Sequence, residues 1–135
     1  MKEIALEAVL NNLDTAMQFV DAQLEEAECS PKTQMQIDLS VEEIFVNIAN
    51  YAFRPNTGSV TIRVSFQPDN ALITVTFIDN GVPYNPLAKE DPDLTLPAEE
   101  RSIGGLGILL VKKNMDSLRY EYKNGQNILT MEKRL

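Results

Sequence analysis

The chain has 135 residues, 44% of them apolar and 24% charged, which suits a single domain, residues 1–135, with a core of its own. Its net charge of −8 makes a phosphate backbone an unfavourable partner and a basic peptide or basic protein surface a better one. With no histidine and one cysteine, it excludes His-based triads, His metal sites, a phospho-accepting histidine of its own and an internal disulfide.

Residues 2–8 fit a short strand. Leu10, Leu13, Met17, Val20 and Leu24 recur at helical spacing, predicting a helix over 10–28. Cys29 follows and is expected to behave as a small apolar group. Ser30-Pro31 then reads as an N-cap followed by a first-turn proline, opening a second helix that runs to about Phe53. Asn56-Thr57-Gly58 breaks it. Val60, Ile62, Val64 and Phe66 alternate with polar residues, predicting a half-buried strand. Pro68-Asp69-Asn70 is a turn, and Ala71, Ile73, Val75 and Phe77 form one face of the hairpin partner. Residues 82–103 are rich in proline and acid without a clear period, as in a lid-like loop. Ile108–Met115 fits a helix. Leu118–Tyr122 and Ile128–Lys133 fit two strands joined through Asn124-Gly125. This order predicts a two-layer α/β sandwich with helices on one face of a mixed, largely antiparallel sheet. No apolar run approaches a membrane span, and the first residues are too acidic for a signal peptide. With the lone cysteine, this places the chain in the cytoplasm as an expectation.

Three segments carry chemistry. In the helix from Val41 to Phe53, Val41, Ile44, Phe45, Ile48, Ala49 and Ala52 share one face. Glu43, Asn47 and Asn50 lie opposite, with Glu43 and Asn47 one turn apart. A solvated polar face is one account of them. The other is an asparagine oxygen for a hard cation, with Glu43 beside it as a general base. Asp79 continues the apolar face of Ile73, Val75 and Phe77, so its carboxylate needs a donor. A backbone amide in the Asp79-Asn80-Gly81 turn serves, and so does the exocyclic amine of a purine, with Gly81 allowing close approach to the ring. Gly104-Gly105-Leu106-Gly107 precedes a helix, where exposed N–H groups and the dipole favour an anion, or where the glycines form a hinge. Arg101 lies just upstream, within reach of a terminal phosphate or as an ordinary surface arginine. No Walker-type Gly-x4-Gly-Lys-Ser/Thr occurs, so a nucleotide site here is not a P-loop.

Taken in order, these segments resemble the GHKL ATPases, and most of all the stand-alone bacterial anti-sigma-factor serine kinases. The likeness runs from about Glu3 to Leu135 and is carried by Val-Glu-Glu-Ile-Phe-Val-Asn-Ile-Ala-Asn-Tyr-Ala-Phe, Asp-Asn-Gly-Val-Pro-Tyr-Asn-Pro-Leu and Glu-Arg-Ser-Ile-Gly-Gly-Leu-Gly-Ile. The resemblance implies a Bergerat-type fold with ATP beneath a lid somewhere in residues 84–103. It implies Glu43 as general base and Asn47 as the Mg2+-linked asparagine. The implied ATP-binding set is Asn47, Asn50, Asp79, Gly81, Arg101, Gly104, Gly105, Leu106 and Gly107, with Asp79 on the adenine amine. The chain departs from common family patterns at Tyr51, Ala52 and Pro83, where many relatives have His, Gly and Gly.

The function this implies is a serine/threonine protein kinase acting as an anti-sigma factor. Its partners would be a small antagonist protein as phosphoryl acceptor and a sigma factor held in check, with no direct nucleic-acid or membrane contact. A homodimer is also implied. The alternative is an ATP-binding regulatory module that works by protein binding with weak or no transfer. Two other options, the catalytic half of a sensor histidine kinase and a gyrase-type ATPase, are expected to carry a dimerisation helix pair or a transducer domain.

Overall fold

The computed structural model describes residues 1–53, 56–88 and 105–135, with backbone alone for Gly105 and Leu106. Among the described residues, five strands and three α-helices follow the predicted order: β1 (Lys2–Glu7), α1 (Leu13–Glu26), α2 (Pro31–Tyr51), β2 (Ser59–Gln67), β3 (Leu72–Asp79), α3 (Gly105–Asn114), β4 (Ser117–Lys123) and β5 (Gln126–Arg134).

Local chemistry accounts for the boundaries. Leu10–Asn12 form a 3-10 turn rather than the start of α1, so Leu10 leaves the buried face that Ala16, Val20 and Leu24 supply. The Ser30 hydroxyl accepts the Thr33 N–H at 3.3 Å and Pro31 takes the first helical position, a cap that contributes about 1 kcal/mol. Asn124 and Gly125 both have positive φ (53° and 76°), which lets two residues turn β4 into β5. Helix α3 begins at Gly105, ahead of the expected Ile108, so Gly105 and Gly107 lie inside its first turn instead of preceding it.

The sheet order is β1-β2-β3-β5-β4 and every pairing is antiparallel, so the expected mixed sheet is antiparallel throughout the described residues. β5 inserts between β3 and β4. One sheet face carries Ile62, Val75, Phe77, Leu129 and Met131, which pack with Val20, Leu24, Ile37, Val41, Ile44, Phe45 and Ile108 of the helices in one core. Full burial of a side chain such as Phe45 or Phe77 is worth about 1.5–3 kcal/mol. Cys29 packs against this core, and burial, then the neighbouring Asp38, push its thiol above the ordinary value, which keeps it an unreactive packing group. Among the described residues no helix is long and apolar enough to cross a membrane.

The register sets up the site. Val60 lies opposite Asp79, and Asp79 opposite Asn127, in the row that closes the sheet beside the end of α2. Apolar rows give way there to a buried carboxylate and a buried amide.

Candidate functional site

A narrow slot opens between the C-terminal half of α2 and the end of the sheet. It is nearly closed, with an enclosed volume of about 20 Å3, and is lined by Ile44, Asn47, Ile48, Ala52, Phe77, Asp79, Tyr84, Pro86, Tyr120, Asn127 and Leu129. None of these is basic, so the slot suits a flat, largely apolar ring bearing a hydrogen-bond donor and does not suit a phosphate.

Asp79 is 5% exposed and continues the inward face of β3, as alternation requires. Its Oδ1 accepts the Gly81 N–H at 2.8 Å and the Asn127 amide at 2.9 Å. Its Oδ2 accepts no hydrogen bond among the described residues. The turn amide expected from Asp-Asn-Gly is therefore present, and one carboxylate oxygen remains for a ligand.

Asn127 was not among the sequence candidates. It is 5% exposed, and its amide hydrogens serve Asp79 Oδ1 and the Val82 carbonyl at 2.9 Å each, with the Gly81 carbonyl at 3.4 Å. Its Oδ1 accepts the Tyr84 N–H at 3.1 Å and the Tyr120 hydroxyl. One side chain thus fixes the carboxylate and the chain leaving β3. Tyr120 is held above the ordinary phenol value chiefly by burial, with Asp79 adding, so it stays a donor at neutral pH.

Gly81 has a packing reason besides the close approach to a ring expected of it. A Cβ there would lie 2.3 Å from the Ala52 carbonyl oxygen, and that carbonyl accepts the Val82 N–H at 2.9 Å. Gly81 lets the turn pack against the end of α2. Tyr51 and Tyr84 meet over this end of the slot with ring centroids 5.6 Å apart.

On α2, Asn47 is 6% exposed, which rules out a solvated polar face. Its Nδ2 donates to the Glu43 carbonyl at 2.7 Å and to Glu43 Oε1 at 2.9 Å. Both partners are acceptors, so the amide orientation is set and Oδ1 is the atom left for a cation. A hard cation that keeps several waters and also binds phosphate fits one neutral oxygen of this kind. Asn47 lines the slot, while Glu43 lines an adjoining hollow with Gly107 and Leu110, so the bonded pair bridges the two spaces.

Gly107 lies against the Glu43 carboxylate: a Cβ there would be 2.3 Å from Glu43 Cδ. The first N–H groups of α3 have no partner within the helix, and its dipole adds partial positive charge there. An anion between this turn and Asn47 would meet backbone donors. Asn50 is half-buried, but it does not line the slot and its side chain makes no hydrogen bond among the described residues. Arg101 and Gly104, with the rest of the expected lid after Ala88, lie outside the described residues.

Comparison with known proteins follows the same lines. The family profile described as "Histidine kinase-like ATPase domain" matches residues 6–133. The serine/threonine-protein kinase BtrW of Bordetella bronchiseptica is 26% identical over 76% of this chain and 71% of its own length. The serine-protein kinase RsbW of Bacillus mycoides is 30% identical over 67% of this chain, and the match spans 58% of that protein. Among solved structures, the RsbU and RsbW domains of Rv1364c from Mycobacterium tuberculosis align with all of this chain and 33% of that one, at a TM-score of 0.67 and 15% identity. The histidine kinase domain of Erythrobacter litoralis EL346 aligns with 76% of this chain and 45% of its own, at a TM-score of 0.52 and 20% identity. Those two likenesses concern the fold.

Proposed function

Given that the chain belongs to the histidine kinase-like ATPase domain family, we propose that it binds ATP with Mg2+ and passes the terminal phosphoryl group to a serine or threonine of a partner protein. One observation carries this most. Asp79 is buried in an otherwise apolar slot, with Oδ1 saturated by Gly81 and Asn127 and Oδ2 left to accept. That is a receptor for an aromatic amine such as adenine.

The chain's own residues then divide the work. Asp79 accepts from the adenine amine, and Asn127 holds the carboxylate in place. Ile48, Phe77 and Leu129 exclude water from the ring, which enters by parting the walls that Tyr84 and Pro86 supply. Asn47 offers Oδ1 to the metal, which neutralises phosphate charge when bound. Backbone N–H groups at Gly105 to Gly107 face the phosphates, and Arg101 and Gly104 are assigned to the same end. Glu43, oriented by the Asn47 amide, takes the proton from the acceptor hydroxyl. Phosphoryl transfer is mainly positioning and electrostatics, so this set is sufficient.

The acceptor is an anti-sigma-factor antagonist, the second partner is a sigma factor, and the working form is a cytoplasmic homodimer. The test is incubation with labelled ATP and a purified antagonist. Label reaching a serine or threonine in the wild type, and absent in Glu43→Gln with ATP still bound, is the expected result. ATP binding without any transfer would favour a regulatory module. The close packing of Gly107 on Glu43 speaks for that alternative, because α3 must withdraw before a phosphate can reach the base.

A further inference from the structure

Helix α2 is apolar on two sides. Ile37, Val41, Ile44 and Phe45 are buried against the sheet. Met35, Leu39 and Val46 lie at i, i+4 and i+11 on the outer side, where Met35 is 58% and Leu39 49% exposed. Helix α3 adds Leu110, 48% exposed. Exposed apolar residues gathered into a patch and rimmed by polar ones mark an interaction surface.

Two hollows run along this stripe. Met35 and Asp38 line the first, Val46, Gly107 and Leu110 the second, and Leu39 and Glu42 line both, so they form one continuous groove. From Met35 to Val46 it spans about 16 Å, or three helical turns. Glu43 stands in its second half, with the carboxylate on Asn47 and Gly107. No lysine or arginine lines the groove among the described residues, whereas Glu42 and Glu43 do.

We propose that this groove between α2 and α3 docks the phosphoryl acceptor. The occupant is a helical segment with apolar side chains at i, i+4 spacing and flanking lysine or arginine, which brings its serine or threonine to Glu43. The assignment rests on the kinase function above. In the step it serves, the acceptor oxygen forms a bond to the terminal phosphorus of ATP, the bond from that phosphorus to ADP breaks, and the hydroxyl proton passes to Glu43. Charge complementarity selects a basic occupant. A second copy using the same face would bring Glu42 and Glu43 against an equally acidic surface without a lysine or arginine to pair them. Residues 89–104, with five acids against two basic residues, match the groove no better.

The test uses two synthetic peptides, a Leu/Lys amphipathic helix with a central serine and the same peptide with Glu for Lys. Each is added with Mg2+ and ATP to the full chain, to Leu39→Lys and to Leu110→Lys. Both substituted positions are exposed, so the variants keep the fold. The Lys peptide is expected to shift the methyl signals of Met35, Leu39 and Leu110 and to accept phosphate, and the Glu peptide to do neither. Each variant should raise the peptide KM about tenfold while ATP affinity holds. Equal binding of the Glu peptide, shifts confined to other surfaces, or an unchanged KM in both variants would overturn the docking groove and leave the kinase function standing. A dimer dispersed by Leu39→Lys would overturn it in favour of a second copy. Loss of ATP binding in the wild-type chain would overturn the kinase function, and the groove assignment with it.

Discussion

Gly107→Ala separates stability from catalysis. The added methyl would sit 2.3 Å from Glu43 Cδ and Oε1 and 2.4 Å from Oε2, far inside contact distance. Those atoms are the free end of a flexible side chain, so Glu43 yields by rotating away while the helices stay in place. The move breaks its 2.9 Å bond from Asn47, a loss of about 0.5–1.5 kcal/mol. Replacing glycine by alanine in a helix returns up to about 1 kcal/mol. The two nearly cancel, so the melting temperature should hardly move. Catalysis has no such offset, because a displaced general base forfeits about 10²–10⁴ in rate, or about 3–5 kcal/mol of barrier. Thermal unfolding and labelled phosphoryl transfer, run on one preparation, provide the assay. Unchanged turnover together with unchanged stability would refute the placement of Glu43 as the base held by Asn47 against α3.

Asn127→Ala should lower stability by about 2–4 kcal/mol in denaturant titration, because it strips partners from a buried carboxylate and from the Tyr84 N–H at once. A loss under 1 kcal/mol would show that Asp79 is held by Gly81 alone. Asp38 on α2 meets Asp21 on α1, and burial first, then hydrogen bonding and repulsion from Asp21, push its carboxyl from 3.8 up to about 8. The folded state therefore binds the extra proton between those values, so this pair's contribution to stability falls as pH rises from about 4 to about 8. Since Asp38 is only half-buried, screening limits the effect to about 1 kcal/mol. Asp38→Asn should flatten that slope in melting curves across the window, and an unaltered slope would contradict the assignment.

Local signals placed most of the fold. The Ser30-Pro31 cap, the alternation through β2 and β3 and the Asn124-Gly125 turn each act within a few residues, and the structure follows them. Asp79 and Asn47 were legible because each breaks a pattern, a carboxylate on an apolar strand face and an asparagine in a helix. Asn127 was not, since an asparagine just after Asn-Gly reads as turn chemistry. Only the β3–β5 register, across 48 residues, sets it beside Asp79. The packing role of Gly81 was hidden for the same reason, because its close neighbour is Ala52 at the end of α2. The apolar pattern from Ile108 dated α3 too late, since glycines carry no hydrophobic signal of their own. The outer stripe of α2 was masked by the inner one, because periodicity assigns a helix a single buried face.

Calorimetric titration of Mg2+ and ATP into the wild-type chain and into Asp79→Asn tests the nucleotide site most directly. In the variant, the Gly81 N–H and Asn127 amide still claim the side-chain oxygen, so the new amide turns its own donor toward the purine amine. Saturable heat in the wild type and a loss of at least tenfold in affinity in the variant is the predicted result. A flat wild-type trace, or equal affinities, would contradict the site.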